Sequence, residues 1–190
     1  MNKANKKKKR VRCDYYPTPL KDIRTFLDFY KIEECSILDP AAGTGNFERV
    51  LKEYGHNINN IDCVEMQWEL ERKLAMQAKN VIIADYLKWE PTKKYDLIIT
   101  NPPYGKAMEY VEKALREINE NGKVIMLLRT AFLETQKRYK EFWSKENNKL
   151  SGLYTLAQRP SFTGRGTDAT SYSWFVWDKS TDKQEIRPIM

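Results

Sequence analysis

Asn101-Pro102-Pro103-Tyr104 sets two prolines between a neutral amide and a phenol ring. Each proline fixes φ and lacks an N–H, so the carbonyls there point in a set direction. Asn101 adds a side-chain acceptor and Tyr104 an aromatic plane. That combination suits a planar group bearing an NH2, with two acceptors for its two hydrogens and a ring to stack on. A second constellation, Asp39-Pro-Ala-Ala-Gly43-Thr-Gly45-Asn-Phe47, follows a short apolar run and precedes a helical pattern. Glycines there let the backbone turn tightly and approach a ligand without a Cβ in the way. The helix N-terminus beyond them offers free N–H groups. By position this is a nucleotide-type binding turn at the carboxyl end of a parallel strand. No third glycine completes a G-x-G-x-x-G fingerprint, and no G-K-[ST] makes a phosphate loop. Glu65 and Asp85 end the next two apolar runs, where a ligand in the same crevice would extend. A carboxylate at Glu65 can accept both ribose hydroxyls. Asp85 could meet an exocyclic amine, with Tyr86 or Leu87 against a purine face.

These residues need a scaffold that brings strand ends together. Apolar runs at 35–39, 60–65, 81–84, 96–100 and 123–128 read as strands covered on both faces. Between them lie helical stripes: Leu20, Ile23, Leu27 and Tyr30; Phe47, Val50, Leu51 and Tyr54; Met66, Leu70, Leu74 and Ala78; and Ala107 to Ile118. After residue 150 the rhythm changes to two strands, 153–158 and 172–177, joined by a Gly-, Ser- and Thr-rich connection too short for a helical crossover. The expectation is an α/β fold: a doubly wound, mostly parallel seven-stranded sheet with a C-terminal antiparallel strand pair.

Composition narrows the chemistry. The chain has 190 residues, 41% hydrophobic and 31% charged, enough for one packed domain. His56 is the sole histidine, and Cys13, Cys35 and Cys63 stand far apart, so zinc sites and histidine-based triads have almost nothing to draw on. The cysteine usage reads as reduced and intracellular, and no apolar run approaches the ~18 residues of a membrane span. The net charge of +7 equals the seven cations of residues 1–12, so the rest sums to zero. Residues 1–13 are expected to be a disordered basic leader suited to phosphates, and 14–190 a single catalytic domain without a separate target-recognition domain.

The pair Asp39–Phe47 and Asn101–Tyr104 resembles motifs I and IV of class I S-adenosylmethionine-dependent methyltransferases. The DPxxGxGxF form with NPPY is similar to small phage-type N6-adenine DNA methyltransferases, and Tyr15-Tyr16-Pro17-Thr18-Pro19 resembles their motif X, which gives the gamma order. The resemblance covers roughly residues 14–178. It implies S-adenosylmethionine as cofactor, with Asp39, Ala41, Gly43, Gly45, Tyr16 and Thr18 around its amino-acid part. It further implies Glu65 on the ribose, Asp85 and Tyr86 on the adenine, and Phe47 nearby, with Asn101 at the boundary with the target. Asn101, Pro102, Pro103 and Tyr104 would hold the target amine. Phe162, in the last connection, would supply a second stacking face, and Lys106, Arg159 and Arg165 would meet phosphates. The implied partner is nucleic acid, DNA before RNA, with short or relaxed sequence recognition. A cytoplasmic monomer or weak homodimer completes the expectation. The same motifs also serve RNA adenine or guanine methylation, protein-glutamine methylation, or an inactive nucleic-acid-binding paralogue.

Overall fold

A computed structural model describes residues 17–162, 164 and 166–190. The basic leader, Tyr16 and Arg165 lie outside the described residues. Among those described, the apolar runs form one sheet in the order β3-β2-β1-β4-β5-β7-β6-β8. The strands are β1 (Ile37–Asp39), β2 (Ile61–Glu65), β3 (Asn80–Ile83), β4 (Tyr95–Thr100), β5 (Ile118–Arg129), β6 (Gly152–Leu156), β7 (Tyr172–Asp178) and β8 (Glu185–Ile189). β7 pairs antiparallel with both β5 and β6. It alone reverses direction, because the short connection from β6 can only fold back beside it.

The expectation of seven strands is corrected to eight. β8 runs parallel to β6, with Gly152 opposite Glu185 and Leu156 opposite Ile189. Its sequence, EIRPI, buries only Ile189 and contains a proline, so it lacks the apolar run of an inner strand. Pro188 is tolerated because β8 is the sheet edge, where one side of the ladder needs no donor.

Helices cover both faces. α1 (Leu20–Phe29) and α2 (Asn46–Glu53) bury Ile23, Phe26, Phe47, Val50 and Leu51 in one cluster with Trp174. Phe26 stacks on Trp174 with centroids 4.5 Å apart. On the other face α4 (Ala107–Glu117) buries Ala107, Tyr110, Val111 and Ala114. The stripe starting at Met66 yields only a 3-10 turn (Trp68–Leu70) and the short helix α3 (Glu71–Leu74). Met66 and Trp68 are exposed, and Leu74 is the fully buried residue of the stretch, so packing supports one turn and little more. The crossover from β5 to β6 is likewise broken into short turns, with a π-turn at Tyr139–Trp143 whose Phe142 is buried. No helix among the described residues is long and apolar enough to cross a membrane.

Candidate functional site

β1, β2 and β4 end side by side, so Gly43, Glu65 and the Pro-Pro turn open onto one crevice. Its walls include Thr18, Ala41, Gly43, Phe47, Glu65 and all four residues Asn101–Tyr104. The glycine turn is shaped by backbone that only glycine adopts readily: Gly43 has φ 53° and Gly45, the N-cap of α2, has φ 79°. A Cβ on Gly45 would also lie 2.6 Å from the Gln77 amide.

The carboxylate of Glu65 stands at the centre of this crevice. Oε2 accepts the Gly43 N–H at 2.8 Å and Oε1 accepts the Gln67 N–H at 2.8 Å. It is thereby fixed in place, and an ionised carboxylate still has further lone-pair positions for ligand hydroxyls. Thr18 links the two constellations. Its carbonyl accepts from Asn46 Nδ2 at 2.8 Å, and its Oγ1 accepts from Asn101 Nδ2 at 2.9 Å. The second contact ties the Asn101 amide to Thr18.

Asp39 lies beneath the floor rather than on it. It is 1% exposed, and its Oδ1 accepts from Ala41 N at 3.0 Å and Thr100 Oγ1 at 2.7 Å. It shapes the turn from below. Against it sits Glu48, fully buried, whose Oε1 accepts from Cys63 Sγ at 2.9 Å. Burial pushes both carboxyls up, and the neighbouring charge raises Asp39 further. The native fold thus keeps protons that the unfolded chain gives up above its ordinary carboxyl range, so stability falls as pH rises through the raised values. Glu48→Gln keeps the shape and removes one acid. Its denaturation midpoint is expected to fall less than the wild type's as pH rises above the ordinary carboxyl range; a steeper fall would contradict the shared burial.

Two of the expected cofactor contacts are displaced. Tyr86 is fully buried, and its hydroxyl donates to Glu117 Oε2 at 2.6 Å, while Lys113 Nζ pairs with Glu117 Oε1 at 2.8 Å. Its ring packs on Tyr110 with centroids 5.0 Å apart. Tyr86 therefore belongs to the core under α4, because its hydroxyl finds a partner there, and Ala84 lines the crevice in its stead. Tyr86→Phe leaves a buried carboxylate short of a donor and is expected to cost about 1–3 kcal/mol in urea unfolding. Ligand affinity should stay within about twofold; the reverse pattern would return Tyr86 to the site. Asp85 also stands back from the crevice walls, with Oδ1 accepting from Leu87 N at 3.1 Å and Oδ2 3.8 Å from Lys88 Nζ.

Beyond Asn101 lies an aromatic group that is already closed on itself. Tyr104 meets Phe162 edge-on, with centroids 6.5 Å apart and planes at 62°, and Phe162 meets Tyr172 at 5.1 Å and 71°. A planar ring held between two parallel faces needs roughly 7 Å between them, so Phe162 must swing aside to act as the second face. Arg159 is turned into its own loop, its Nη1 donating to the Ala169 carbonyl at 3.1 Å. Lys106 is exposed and 3.3 Å from Glu109. One residue escaped the sequence reading here. Arg129 lies over the Tyr104 ring, with its guanidinium carbon 5.2 Å from the centroid, and it is paired in register with Tyr172. As the last residue of an apolar run Arg129 looks like any surface cation. Only the antiparallel register, which sets it opposite Tyr172, reveals the contact. Burial raises the Tyr104 phenol far above its ordinary range, so it stays a neutral hydroxyl.

No family model matches the chain. It is 29% identical over 157 residues, 71% of its length, to the type II methyltransferase M.CvrRI of Paramecium bursaria Chlorella virus XZ-6E, covering 41% of that protein. It is 32% identical over 109 residues, 50% of its length, to the type II methyltransferase M.VspI of Vibrio sp. (strain 343), covering 26% of that protein. The chain thus spans less than half the length of the curated relatives it matches. Its fold superposes on a Listeria monocytogenes protein assigned to the class I S-adenosylmethionine-dependent methyltransferases. That match has TM-score 0.69 and 17% identity, over 94% of this chain and 67% of the other.

Proposed function

We propose that this chain, which has the fold of class I S-adenosylmethionine-dependent methyltransferases and resembles the adenine DNA methyltransferases, methylates the N6 amino group of adenine in DNA. The observation that carries the reading is the placement of Asn101, Pro102 and Tyr104 on the wall of a crevice whose other side is the Gly43 turn and Glu65. The type II methyltransferases to which the chain is similar support it.

The residues present fit S-adenosylmethionine. Glu65 offers a fixed carboxylate for ribose hydroxyls, Gly43 and Ala41 a backbone without obstruction, and Phe47 an apolar wall. The Glu65 carboxylate on the wall favours a ligand that carries a positive charge. The cofactor supplies a methyl group on a sulfonium, already activated toward nucleophiles.

What remains is for the chain to present an amine. An adenine amino group is a poor nucleophile because its lone pair is delocalised into the ring. Acceptors at Asn101 Oδ1 and the Pro102 carbonyl draw on its two N–H bonds, favour a pyramidal nitrogen and return density to the lone pair. Tyr104 stacks on the base and holds its plane. Positioning of this kind supplies about 7–11 kcal/mol; as the N–C bond forms the sulfur–methyl bond would break to leave a neutral thioether, and the methylated amine, strongly acidic while cationic, would release its proton to water without a histidine base. The base must first leave its stack, at a cost of a few kcal/mol. Stacking on an aromatic residue returns about 1–3 kcal/mol per base. The seven cations of residues 1–12 suit a sequence-independent hold on phosphates, in keeping with short or relaxed recognition.

Incubation with methyl-tritiated S-adenosylmethionine and DNA, RNA or protein tests the reading. Label is expected in DNA. Label confined to RNA or to protein glutamine would replace the substrate, and cofactor binding without transfer to any polymer would make the chain a binding module.

A further inference from the structure

Arg129 ends β5 directly opposite Tyr172 at the start of β7. Paired positions on neighbouring strands direct their side chains to one face, so the register itself brings guanidinium and phenol together. The pair is locked where the ladder ends, because Thr130 N donates to the Ser171 carbonyl at 2.9 Å and Thr130 Oγ1 lies 2.8 Å from Ser173 Oγ. From there Arg129 reaches three elements. It stands across the strand pair from Tyr172, and its guanidinium carbon lies over one face of Tyr104, 5.2 Å from the centroid. The Asp168 carboxylate of the β6–β7 connection also favours its charge. Asp168 in turn is 3.2 Å from the Tyr172 hydroxyl through Oδ2 and accepts the Thr170 N–H at 3.0 Å through Oδ1.

We infer that Arg129 is the positioning residue of the target site: it fixes the plane of Tyr104, closes one of its two faces, and ties that ring to the loop that carries Phe162. The inference rests on the proposed transfer to a base amine. A planar guanidinium can stack on a ring and donate sideways at the same time, which an ammonium cannot. With its Arg129 side covered, Tyr104 offers a base only the opposite face. Loss of the guanidinium frees the ring to tilt, so a base would be bound but held away from the transfer geometry. Its cost should therefore fall on the transfer step and not on cofactor affinity.

Single-turnover methylation of DNA by the full chain tests this with R129A, R129K, Y172F and R129A/Y172F, alongside cofactor affinity, DNA affinity and melting temperature. R129A is expected to slow transfer about tenfold or more, with cofactor affinity within about threefold. R129K, which keeps the charge but not the fork, is expected to recover less than about threefold of that loss. Y172F should slow the wild type but add less than about twofold in the R129A background, because both changes break one unit. R129K and Y172F carry the test should R129A fail to fold. A transfer rate for R129A within about twofold of wild type, or a loss lying wholly in DNA affinity and restored by R129K, overturns the inference alone. An unmodified chain that binds cofactor yet methylates neither DNA nor RNA overturns the reading beneath it, and the inference with it.

Discussion

Replacing Asn101 with alanine is expected to reduce methyl transfer by two or more orders of magnitude, a loss of about 2.7 kcal/mol or greater in the transition state. The amide is tied to Thr18 Oγ1 at 2.9 Å, so truncation removes a group that was held in advance. Such acceptors act where charge develops and cost no reorganisation at the moment of reaction. Cofactor affinity should change little, because the Gly43 turn and Glu65 remain. Single-turnover rates beside equilibrium cofactor binding separate the two. A variant that binds and transfers normally would show that Asn101 has no part in holding the amine.

Glu65→Ala should produce the opposite split. Glu65 lines the crevice and also fastens the glycine turn to the loop after β2, through Gly43 N and Gln67 N, each at 2.8 Å. Its removal strips the ribose acceptor and leaves two N–H groups without their carboxylate. Hydrogen bonds to a charged group are worth about 1.5–3 kcal/mol each, so cofactor affinity is expected to fall roughly thirtyfold or more. Transfer at saturating cofactor should suffer far less than in Asn101→Ala, since Asn101 and Tyr104 stand on the turn after β4. Calorimetric titration reads the first quantity. Unchanged affinity would place the ribose elsewhere.

The parts of the site that were legible in sequence are those set by backbone chemistry. Gly43 and Gly45 had to sit where φ is positive, and Pro102-Pro103 had to stiffen a strand end. Both constellations do line one crevice, and Glu65 stands between them. Positions whose role depends on what packs behind them were not legible. Asp85 and Tyr86 follow β3 in the place expected for purine contacts, but α4 presents Glu117 to the Tyr86 hydroxyl and draws it into the core. Asp39 carries the start of the motif yet works from below, because Thr100 and the Ala41 N–H take one oxygen and Glu48 crowds the other. Nothing in the spacing of Asp39 and Glu48 announces that contact. Arg129 was invisible for a related reason: its partner is 43 residues away and is supplied by strand register alone. The eighth strand was hidden by its exposure, since an edge strand with a proline needs no apolar pattern.

The same distinction explains the helices. The Ala107 stripe packs four side chains against the sheet and forms three turns, as its spacing predicts. The Met66 stripe has the same spacing, but its first residue is exposed beside the crevice and its helix shrinks to Glu71–Leu74. Spacing fixes which face a helix would use; burial decides whether there is anything to use it on.

The central claim is that this crevice presents the amino group of adenine to an activated methyl. Mass spectrometry of nucleosides from DNA incubated with the protein and S-adenosylmethionine bearing a deuterated methyl reads it directly. The account predicts N6-methyl-2′-deoxyadenosine carrying the label, present with wild type and absent with Asn101→Ala. Label on a ring carbon, on cytosine, or persisting undiminished in Asn101→Ala would contradict it.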